Sequence, residues 1–512
     1  MEKLTDLEYL RLNKLKKFWY KFRLFILAIP LFFKNIGLKI ADKCKKAWLF
    51  VKNQFIDIYK TFKEGDWKTR TSFFVMGFGS IARGQWLRGI LFLLFELVFR
   101  IYMIFWGGFW LSKFPTLGTV PPGEKYDEIL DTYVRVDGDN SFKILLYGLL
   151  TIIFIIGFIY TWRLNVKQNK ISEEIIKSGK KIKSSKEDLK SLLDDQFHKT
   201  LLALPVLGIT VFTVIPIIFM ILVAFTSYAG KYDGYANLFT WVGLENFNQL
   251  FQWGNGSSNF AATFGEILSW TLMWAFFATF SNYFLGMIVA MIINKKGIKF
   301  KKLWRGILVL TCAVPQFVSL LYISKLFDVN GLVNGIMVNA GWIDQPIRFW
   351  ENATSARIMV ILINIWIGIP YLMLIATGIL MNIPQDLYES ARIDGANTFQ
   401  QYTKITLPYM LFVTGPYLLT SFIGNINNFN VIYLLTGGGP TDPKLSVTMN
   451  GASATAGSTD LLITWLFNLT TGATSNYKLA AVISIMIFVV VALLSVIVYN
   501  VMPSTKNEED YS

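Results

Sequence analysis

The chain has 512 residues, of which 53% are hydrophobic and only 16% are charged, and its formal net charge is +15. Soluble proteins carry more charged residues than this, so the composition excludes an ordinary soluble globular protein. The lysines and arginines are concentrated in residues 1–88, 163–199 and 295–305 and are sparse between them. This alternation is typical of membrane proteins with basic cytoplasmic loops, and it predicts contact with membrane lipid and not with nucleic acid.

Apolar runs of about 20 residues recur along the chain, and each is long enough to cross roughly 30 Å of hydrocarbon. Because backbone groups in lipid must be hydrogen-bonded within their own segment, we expect these runs to be helices. The sequence therefore predicts an all-α polytopic membrane protein with eight transmembrane helices. They are expected at residues 86–110, 143–163, 201–227, 267–293, 305–326, 357–381, 409–436 and 478–501.

An even number of helices places both termini on one side of the membrane, and the basic amino terminus assigns that side to the cytoplasm. The loops 164–200, 294–304 and 382–408 are then cytoplasmic, and 111–142, 228–266, 327–356 and 437–477 are exterior. We expect no disulfide between Cys44 and Cys312, because one lies in the basic terminal region and the other in an apolar span. The single histidine, His198, indicates no metal site, and we predict no catalytic residue.

Three regions are predicted. Residues 1–85 form a basic cytoplasmic or interfacial region, and residues 86–200 contain two transmembrane helices and a charged cytoplasmic loop. Residues 201–512 contain the other six helices, with a polar cytoplasmic loop at 384–408. In the first helix Glu96 and Arg100 are four residues apart, a spacing that favours an ion pair on one helix face.

The polar loop has the signals of two short helices joined by a turn. Pro384 is suited to the start of a helix, so residues 385–393 can form the first one. Gly395 can adopt a left-handed conformation without strain. Asn397 and Gln400 have the spacing of a helix capping pair. We expect Leu407-Pro408 to end the second helix at the membrane surface, which makes the loop a stiff cytoplasmic knob.

Two apolar spans carry polar or aromatic residues that suit a sugar. At 3.6 residues per turn, Ser421, Gly424, Asn425 and Asn428 lie on one stripe of the seventh helix. Amides can donate to and accept from sugar hydroxyls. In the sixth helix Ile367 and Tyr371 share a face, and an aromatic ring can pack on the C–H groups of a sugar. The alternative is that these polar residues only join helices to one another.

The polar loop resembles a known motif. The order Glu389-Ser390-Ala391, Gly395-Ala396 and Ile405-Thr406-Leu407-Pro408 is similar to the cytoplasmic "EAA" loop of permease subunits in binding-protein-dependent ABC importers. Ser390 departs from the usual alanine but is also small. The six-helix core preceded by two helices resembles the MalF-type subunit of maltose and maltodextrin importers. The resemblance implies a type I ABC importer permease fold for residues 201–512.

The resemblance also implies roles for particular residues. The implied ATPase-docking residues are Glu389, Ser390, Ala391, Asp394, Gly395 and Ala396. The implied substrate-binding residues are Ile367, Gly368, Tyr371, Ser421, Gly424, Asn425 and Asn428. Gly424 departs from the aromatic residue usual in the family, which implies a wider cavity at that point.

The implied partners are a second, MalG-like permease, an ATPase subunit dimer, an extracellular sugar-binding protein and an oligosaccharide, with maltodextrin or maltose expected. The chain has no Gly-x-x-x-x-Gly-Lys-Ser/Thr motif, so ATP and Mg²⁺ are expected on the partner ATPase and no cofactor on this chain. The expected location is a bacterial cytoplasmic membrane.

Three alternatives stay open. Another glycan, such as a galacto-oligosaccharide, would require a different pocket in the same type of permease. A proton-coupled secondary transporter would require a titratable group near the centre of the substrate helices, where this sequence has amides. A polytopic membrane enzyme would require a cluster of His, Asp or Cys at a membrane face.

Overall fold

The computed structural model describes residues 14–129, 131–194, 196–228, 238–251, 260–295, 297–449, 452–471 and 476–501. Parts of the predicted exterior loops 228–266 and 437–477 therefore lie outside the described residues. The helices are α1 Lys14–Glu64, α2 Trp67–Thr71, α3 Phe78–Ile81, α4 Trp86–Tyr102, α5 Gly108–Lys113, α6 Ser141–Lys177, α7 Ser185–Leu193, α8 Phe197–Ile209, α9 Ile215–Val223, α10 Glu245–Phe251, α11 Phe260–Asn294, α12 Lys301–Ala313, α13 Gln316–Leu326, α14 Leu332–Asn339, α15 Ala353–Leu380, α16 Gln385–Ile393, α17 Thr398–Gln401, α18 Leu407–Ile426, α19 Phe429–Thr436, α20 Leu462–Thr471 and α21 Tyr477–Val501.

Other described elements are short. Wider π-helical turns at Met103–Gly107, Thr210–Val214 and Tyr402–Thr406 join successive helices. Strands β1 Gly123–Asp127 and β2 Thr132–Val136 form one antiparallel hairpin. Strands β3 Thr441–Met449 and β4 Ala452–Gly457 form another. Both hairpins lie in loops that the sequence predicts to be exterior.

The chain divides into two compact units, and the first contains Met1–Ser112 and Tyr147–Ile209. Within this unit, buried polar side chains of α6 hold the irregular segment between α1 and α4. Asn165 Oδ1 accepts from Gly77 N at 3.0 Å, and Glu173 Oε2 accepts from Asp66 N at 3.1 Å. Arg83 pairs with Asp66 at 2.6 Å. The segment is therefore fixed by paired polar groups, as buried polar groups require.

The predicted ion pair between Glu96 and Arg100 is confirmed. Arg100 NH2 lies 2.5 Å from Glu96 Oε1, and the Glu96 side chain is buried. The other carboxylate oxygen accepts from Met76 N at 2.6 Å. Both oxygens of the buried carboxylate are thus paired, which offsets the cost of removing the charge from water.

The second unit contains Lys113–Leu146 and Thr210–Ser512, and α11 runs through its core. Trp274 packs in one apolar cluster with Leu320, Val360 and Ile432, which joins α11 to α13, α15 and α19. Further along α11, Met287 belongs to a second cluster with residues of α15 and α18. These clusters align the helices that carry the predicted sugar residues.

The predicted all-α polytopic class is confirmed. Seven helical stretches in the described part of the chain are long and apolar enough to span a membrane. They are Trp86–Lys113, Ser141–Lys177, Phe197–Val223, Phe260–Asn294, Ala353–Leu380, Thr398–Ile426 and Tyr477–Tyr499. The pair Lys301–Ala313 and Gln316–Leu326 makes an eighth span if it is counted as one.

The prediction of one continuous helix at 305–326 was wrong. The chain bends by 90° between α12 and α13. Val314 is extended, with ψ 127°, and Pro315 follows it. Proline disfavours a helical conformation in the residue before it and clashes with the carbonyl four residues earlier, so the break lies where these effects place it.

The prediction of one helix at 409–436 was also wrong, both in its continuity and in its starting point. Helix α18 ends at Ile426 and α19 begins at Phe429, so the segment is broken at Asn427 and Asn428. At the other end, the helical stretch already begins at Thr398 and continues to Ile426. Both differences affect the candidate functional site.

Candidate functional site

The first helix of the EAA-like loop, α16, ends in a tightly hydrogen-bonded turn. Gly395 has φ +77°, the left-handed conformation that glycine adopts without strain. Its N–H donates to Arg392 O at 3.0 Å, and Ala396 N donates to Ala391 O at 2.8 Å. These bonds form a Schellman motif, in which the residues on each side of the turn come close together. Small side chains at Ala391 and Ala396 suit that close approach.

The second helix of the loop begins with the predicted cap. Asn397 Oδ1 accepts from Gln400 N at 2.8 Å, and Gln400 Oε1 accepts from Asn397 N at 2.9 Å. This is a complete capping box. Tyr388 and Thr406 share a hydrogen bond of 2.8 Å, which ties α16 to the turn that follows α17. The loop is thus closed by bonds between residues near one another in sequence.

The expectation that Leu407-Pro408 ends the second helix was wrong. Helix α17, the π turn Tyr402–Thr406 and α18 form one helical stretch. Pro408 lies in the first turn of α18, directly after the π turn. The wider turn accommodates a ring that would clash in a regular helix interior. The loop is therefore a direct extension of the helix that carries Ser421 and Asn425.

The outer surface of the loop is partly apolar. Ile393 and Phe399 are 86% and 72% exposed. Glu389, Ser390, Asp394 and Gly395 are exposed as well, and Ala391 and Ala396 are half-buried. Exposed apolar side chains of this size, on a loop that is otherwise polar, suit contact with another protein. Sequence reasoning missed Ile393 and Phe399 because it searched the loop only for the motif residues.

The polar residues at the break between α18 and α19 bond to one another. Asn425 Nδ2 donates to Thr279 Oγ1 of α11 at 3.0 Å, and Asn428 Nδ2 donates to Asn425 Oδ1 at 3.2 Å. Asn428 also caps α19, because its Oδ1 accepts from Val431 N at 3.3 Å. Trp274 Nε1 donates to Asn425 O at 3.1 Å.

The prediction of one helical stripe through Ser421, Gly424, Asn425 and Asn428 was therefore wrong in its geometry, because Asn428 lies beyond the end of α18. Ser421 and Asn425 are half-buried, and Gly424 is exposed. A Cβ added at Gly424 would meet no atom within 4 Å. The helix break leaves each amide with hydrogen-bonding capacity beyond the bonds just described, since an amide offers two donors and an acceptor with two lone pairs.

Two of the three predicted residues of α15 border a cavity of about 320 Å³. Ile367 and Tyr371 line it together with Gln316 and Ser319, which lie at the start of α13. Gly368 lies against the side-chain amide of Asn282 on α11, so a larger residue would collide there. Helix α13, which follows the bend at Pro315, thus contributes polar groups beside Tyr371.

Three further residues were missed by sequence reasoning. Tyr417 on α18 lies beside Tyr371 and Ser421, so it joins the predicted residues of the two helices. Asn364 is one turn before Gly368, and its buried Nδ2 has no hydrogen-bond acceptor among the described residues. Gln316 follows the break at Pro315, and that proline was the signal that could have drawn attention to it.

Comparisons with known proteins identify the family of this chain. Residues 282–506 match the family described as "Binding-protein-dependent transport system inner membrane component". The chain is similar to the maltodextrin transport system permease protein MalC of Streptococcus pneumoniae, with 32% identity over 434 residues, which are 83% of this chain and 93% of that one.

Two further relatives are named for different sugars. The galactooligosaccharides transport system permease protein GanP of Bacillus subtilis is 34% identical over 442 residues, 85% of this chain and 97% of that one. The maltose/maltodextrin transport system permease protein MalF of Klebsiella aerogenes is 35% identical over 50% of this chain and 48% of its own length. Since identity above 30% extends over 83% of this chain, the chain belongs to the permeases that form the inner membrane component of binding-protein-dependent transport systems, and its predicted MalF-type resemblance is confirmed.

Proposed function

We propose that this chain is the permease subunit through which an ABC importer carries an oligosaccharide of the maltodextrin class into the cell. The observation that carries the proposal is the continuous helical stretch Thr398–Ile426. Its cytoplasmic end belongs to the stiff loop, and its other end carries Ser421 and Asn425. Movement of the loop is therefore transmitted directly to the residues proposed to contact the sugar.

The loop is proposed to bind a separate ATPase. The predicted docking residues Glu389, Ser390, Asp394 and Gly395 are exposed and lie beside the exposed Ile393. An exposed apolar side chain surrounded by polar ones suits binding to a partner protein, since interfaces have an apolar core and a polar rim. ATP and Mg²⁺ are held by that partner in this proposal, and this chain supplies no cofactor site.

The sugar is proposed to bind near Tyr371, Tyr417 and Ser421, with Gln316 and the amide of Asn425 as further hydrogen-bonding groups. Aromatic rings beside hydroxyl and amide groups are suited to sugars, which have both C–H faces and hydroxyls. The second, related permease is proposed to complete the passage, and an extracellular binding protein to deliver the sugar.

The proposed location is the cytoplasmic membrane of a bacterium, with both termini in the cytoplasm. The charge pattern supports this orientation, because residues 163–199 and 295–305 are rich in Lys and Arg and lie on the side of the EAA-like loop.

A galacto-oligosaccharide is the second candidate substrate. The identity to the galactooligosaccharides permease GanP of Bacillus subtilis, 34% over 85% of this chain, favours it as specifically as the match to MalC favours maltodextrin. The test is ATPase stimulation of the reconstituted complex by binding proteins loaded with each member of an oligosaccharide panel. Stimulation by maltodextrins supports the first candidate, and stimulation by galacto-oligosaccharides alone replaces it with the second.

A further inference from the structure

A second cavity, of about 690 Å³, lies between the EAA-like loop and the ends of α11, α12 and α15 nearest to that loop. Its walls come from the end of α11, the start of α12, the end of α15, and both helices of the loop. Three of its lining residues are cationic, namely Lys295, Arg305 and Arg392, and no lining residue is acidic. A concave site with charges of one sign concentrates the field inside it and attracts anions.

Hydrogen bonds to neighbouring helices hold the guanidinium group of Arg305 in place. Arg305 NH2 donates to Asn294 Oδ1, and Asn294 Nδ2 donates to Thr377 Oγ1 at 3.2 Å. These bonds fix the guanidinium at the junction of α11, α12 and α15. Within the part of the chain that the structure describes, the buried Arg305 Nε has no hydrogen-bond acceptor. A buried donor without an acceptor is costly and indicates a group supplied from elsewhere.

The other two cations also lack a partner carboxylate. Neither Lys295 nor Arg392 forms an ion pair with a described residue. One wall of the cavity is apolar and includes Met291, Leu380 and Met381. The cavity therefore offers cations on one side and an apolar surface on the other.

We propose that this cavity binds a phosphate-bearing ligand, with its phosphate held by Arg305, Lys295 and Arg392 and its organic part against the apolar wall. Guanidinium groups match phosphate in geometry and form strong charge-assisted hydrogen bonds with it. The same chemistry is offered by the headgroup of an anionic phospholipid and by a soluble organic phosphate.

A ligand in this cavity contacts residues of the loop and of the helix ends at once, so it would hold the loop against these helices. The site is distinct from the sugar cavity, and its ligand is bound whether or not the sugar assignment is correct.

The test is ligand binding to the complete transporter, purified with its partner subunits. One arm uses nanodiscs of phosphatidylcholine with and without phosphatidylglycerol and measures retained lipid by native mass spectrometry. The other arm measures binding of radiolabelled glucose 6-phosphate in phosphatidylcholine alone. The variants are Arg305→Gln and Lys295→Gln, and the matched control is Lys302→Gln, since Lys302 is exposed and does not line the cavity.

We expect one of the two probes to bind the wild type, and the arm in which it binds identifies the source of the phosphate. Arg305→Gln and Lys295→Gln should each weaken binding by about tenfold, as loss of a charge-assisted bond does, while Lys302→Gln should bind like the wild type. If Arg305→Gln fails to assemble, Lys295→Gln alone gives the result. Absence of binding by both probes, or equal binding by all three variants, would overturn the proposal. Absence of binding would then favour a carboxylate of the ATPase as the group that fills the cavity. None of these readouts depends on sugar uptake.

Discussion

The EAA-like loop, residues 384–408, and the break between α18 and α19 are both polar interruptions of an apolar sequence, but different contacts hold them. The loop is closed by bonds between residues at most 18 positions apart, such as Ala396 to Ala391 and Tyr388 to Thr406. The break is held from α11, whose Trp274 and Thr279 contact Asn425 from about 150 positions away.

The contacts that hold each region suggest that the loop is rigid and that the helix break is adaptable. A loop closed by bonds among its own residues keeps its shape when partners move, which a coupling element requires. A break held by side chains of other helices changes when those helices shift, which a passage that opens and closes requires. The four predictions that follow test this comparison.

Replacement of Gly395 with Val should disrupt the loop most. Its φ of +77° is unfavourable for a β-branched residue, while no atom lies within 4 Å of the added Cβ, so the effect is on the backbone alone. A cost of about 1–2 kcal/mol should lower ATPase association and sugar uptake by roughly tenfold or more. Association is measured by quantitative co-purification.

The control is Gly341→Val, because Gly341 also has a positive φ, 67°, and open space around it, but lies in a predicted exterior loop. It should retain the ATPase. Equal retention of the ATPase by the two variants would show that the loop's backbone conformation is not what the ATPase binds.

The turn that follows α19 should also respond to pH, through Asp460. Its carboxylate accepts from Gly457 N at 2.8 Å and from Thr464 Oγ1 at 2.7 Å, and it packs against Gly438. Burial raises the pKa of Asp460 to about 6. The folded state therefore holds this proton more tightly than the unfolded state, so the contribution of Asp460 to stability is largest below about pH 4 and is lost as the pH rises through 6.

The change amounts to about 3 kcal/mol at most, and thermal unfolding of the purified complex across this pH range measures it. Asp460→Asn should remove this part of the pH dependence, whereas Asp344→Asn, at an exposed position, should keep it. Identical pH profiles for both variants would contradict the assignment.

Thr279→Val should destabilise the helix break by about 1–2 kcal/mol, because it removes the hydrogen bond from Asn425. Asn425→Ala should destabilise it more, because it removes that bond and also the acceptor of Asn428. Their effects on stability should not add in the double variant. Sugar uptake should fall further in Asn425→Ala, since the proposed function gives its amide a sugar contact as well. Equal uptake in the two single variants would limit Asn425 to a structural role.

Tyr371→Phe should have the smallest effect, because it removes one hydroxyl at the border of the cavity. Loss of one hydrogen bond of about 1 kcal/mol raises the half-saturating sugar concentration about fivefold without changing ATPase association. Tyr322→Phe is the matched control, since Tyr322 is exposed on α13 and does not line the cavity. The same shift in both variants would remove Tyr371 from the sugar site.

Sequence reasoning predicted the loop better than the passage, for a physical reason. Gly395, the Asn397–Gln400 cap and the Glu96–Arg100 pair depend on residues a few positions apart, and their spacing is visible in the sequence. The break after Ile426 depends on Trp274 and Thr279, which no local pattern connects to Asn425. The continuation of the helix through Pro408 was missed because a π turn accommodates the proline, and sequence gives no spacing rule for such a turn.

The most direct test of the central claim is photo-crosslinking from the exposed apolar positions of the loop. A photoreactive residue placed at Ile393 or at Phe399 should crosslink to the ATPase in the intact complex, and the same residue at Trp342, exposed in a predicted exterior loop, should not. Crosslinks from Ile393 and Phe399 to no partner, or to an extracellular protein, would contradict the account that this loop links a separate ATPase to the sugar passage.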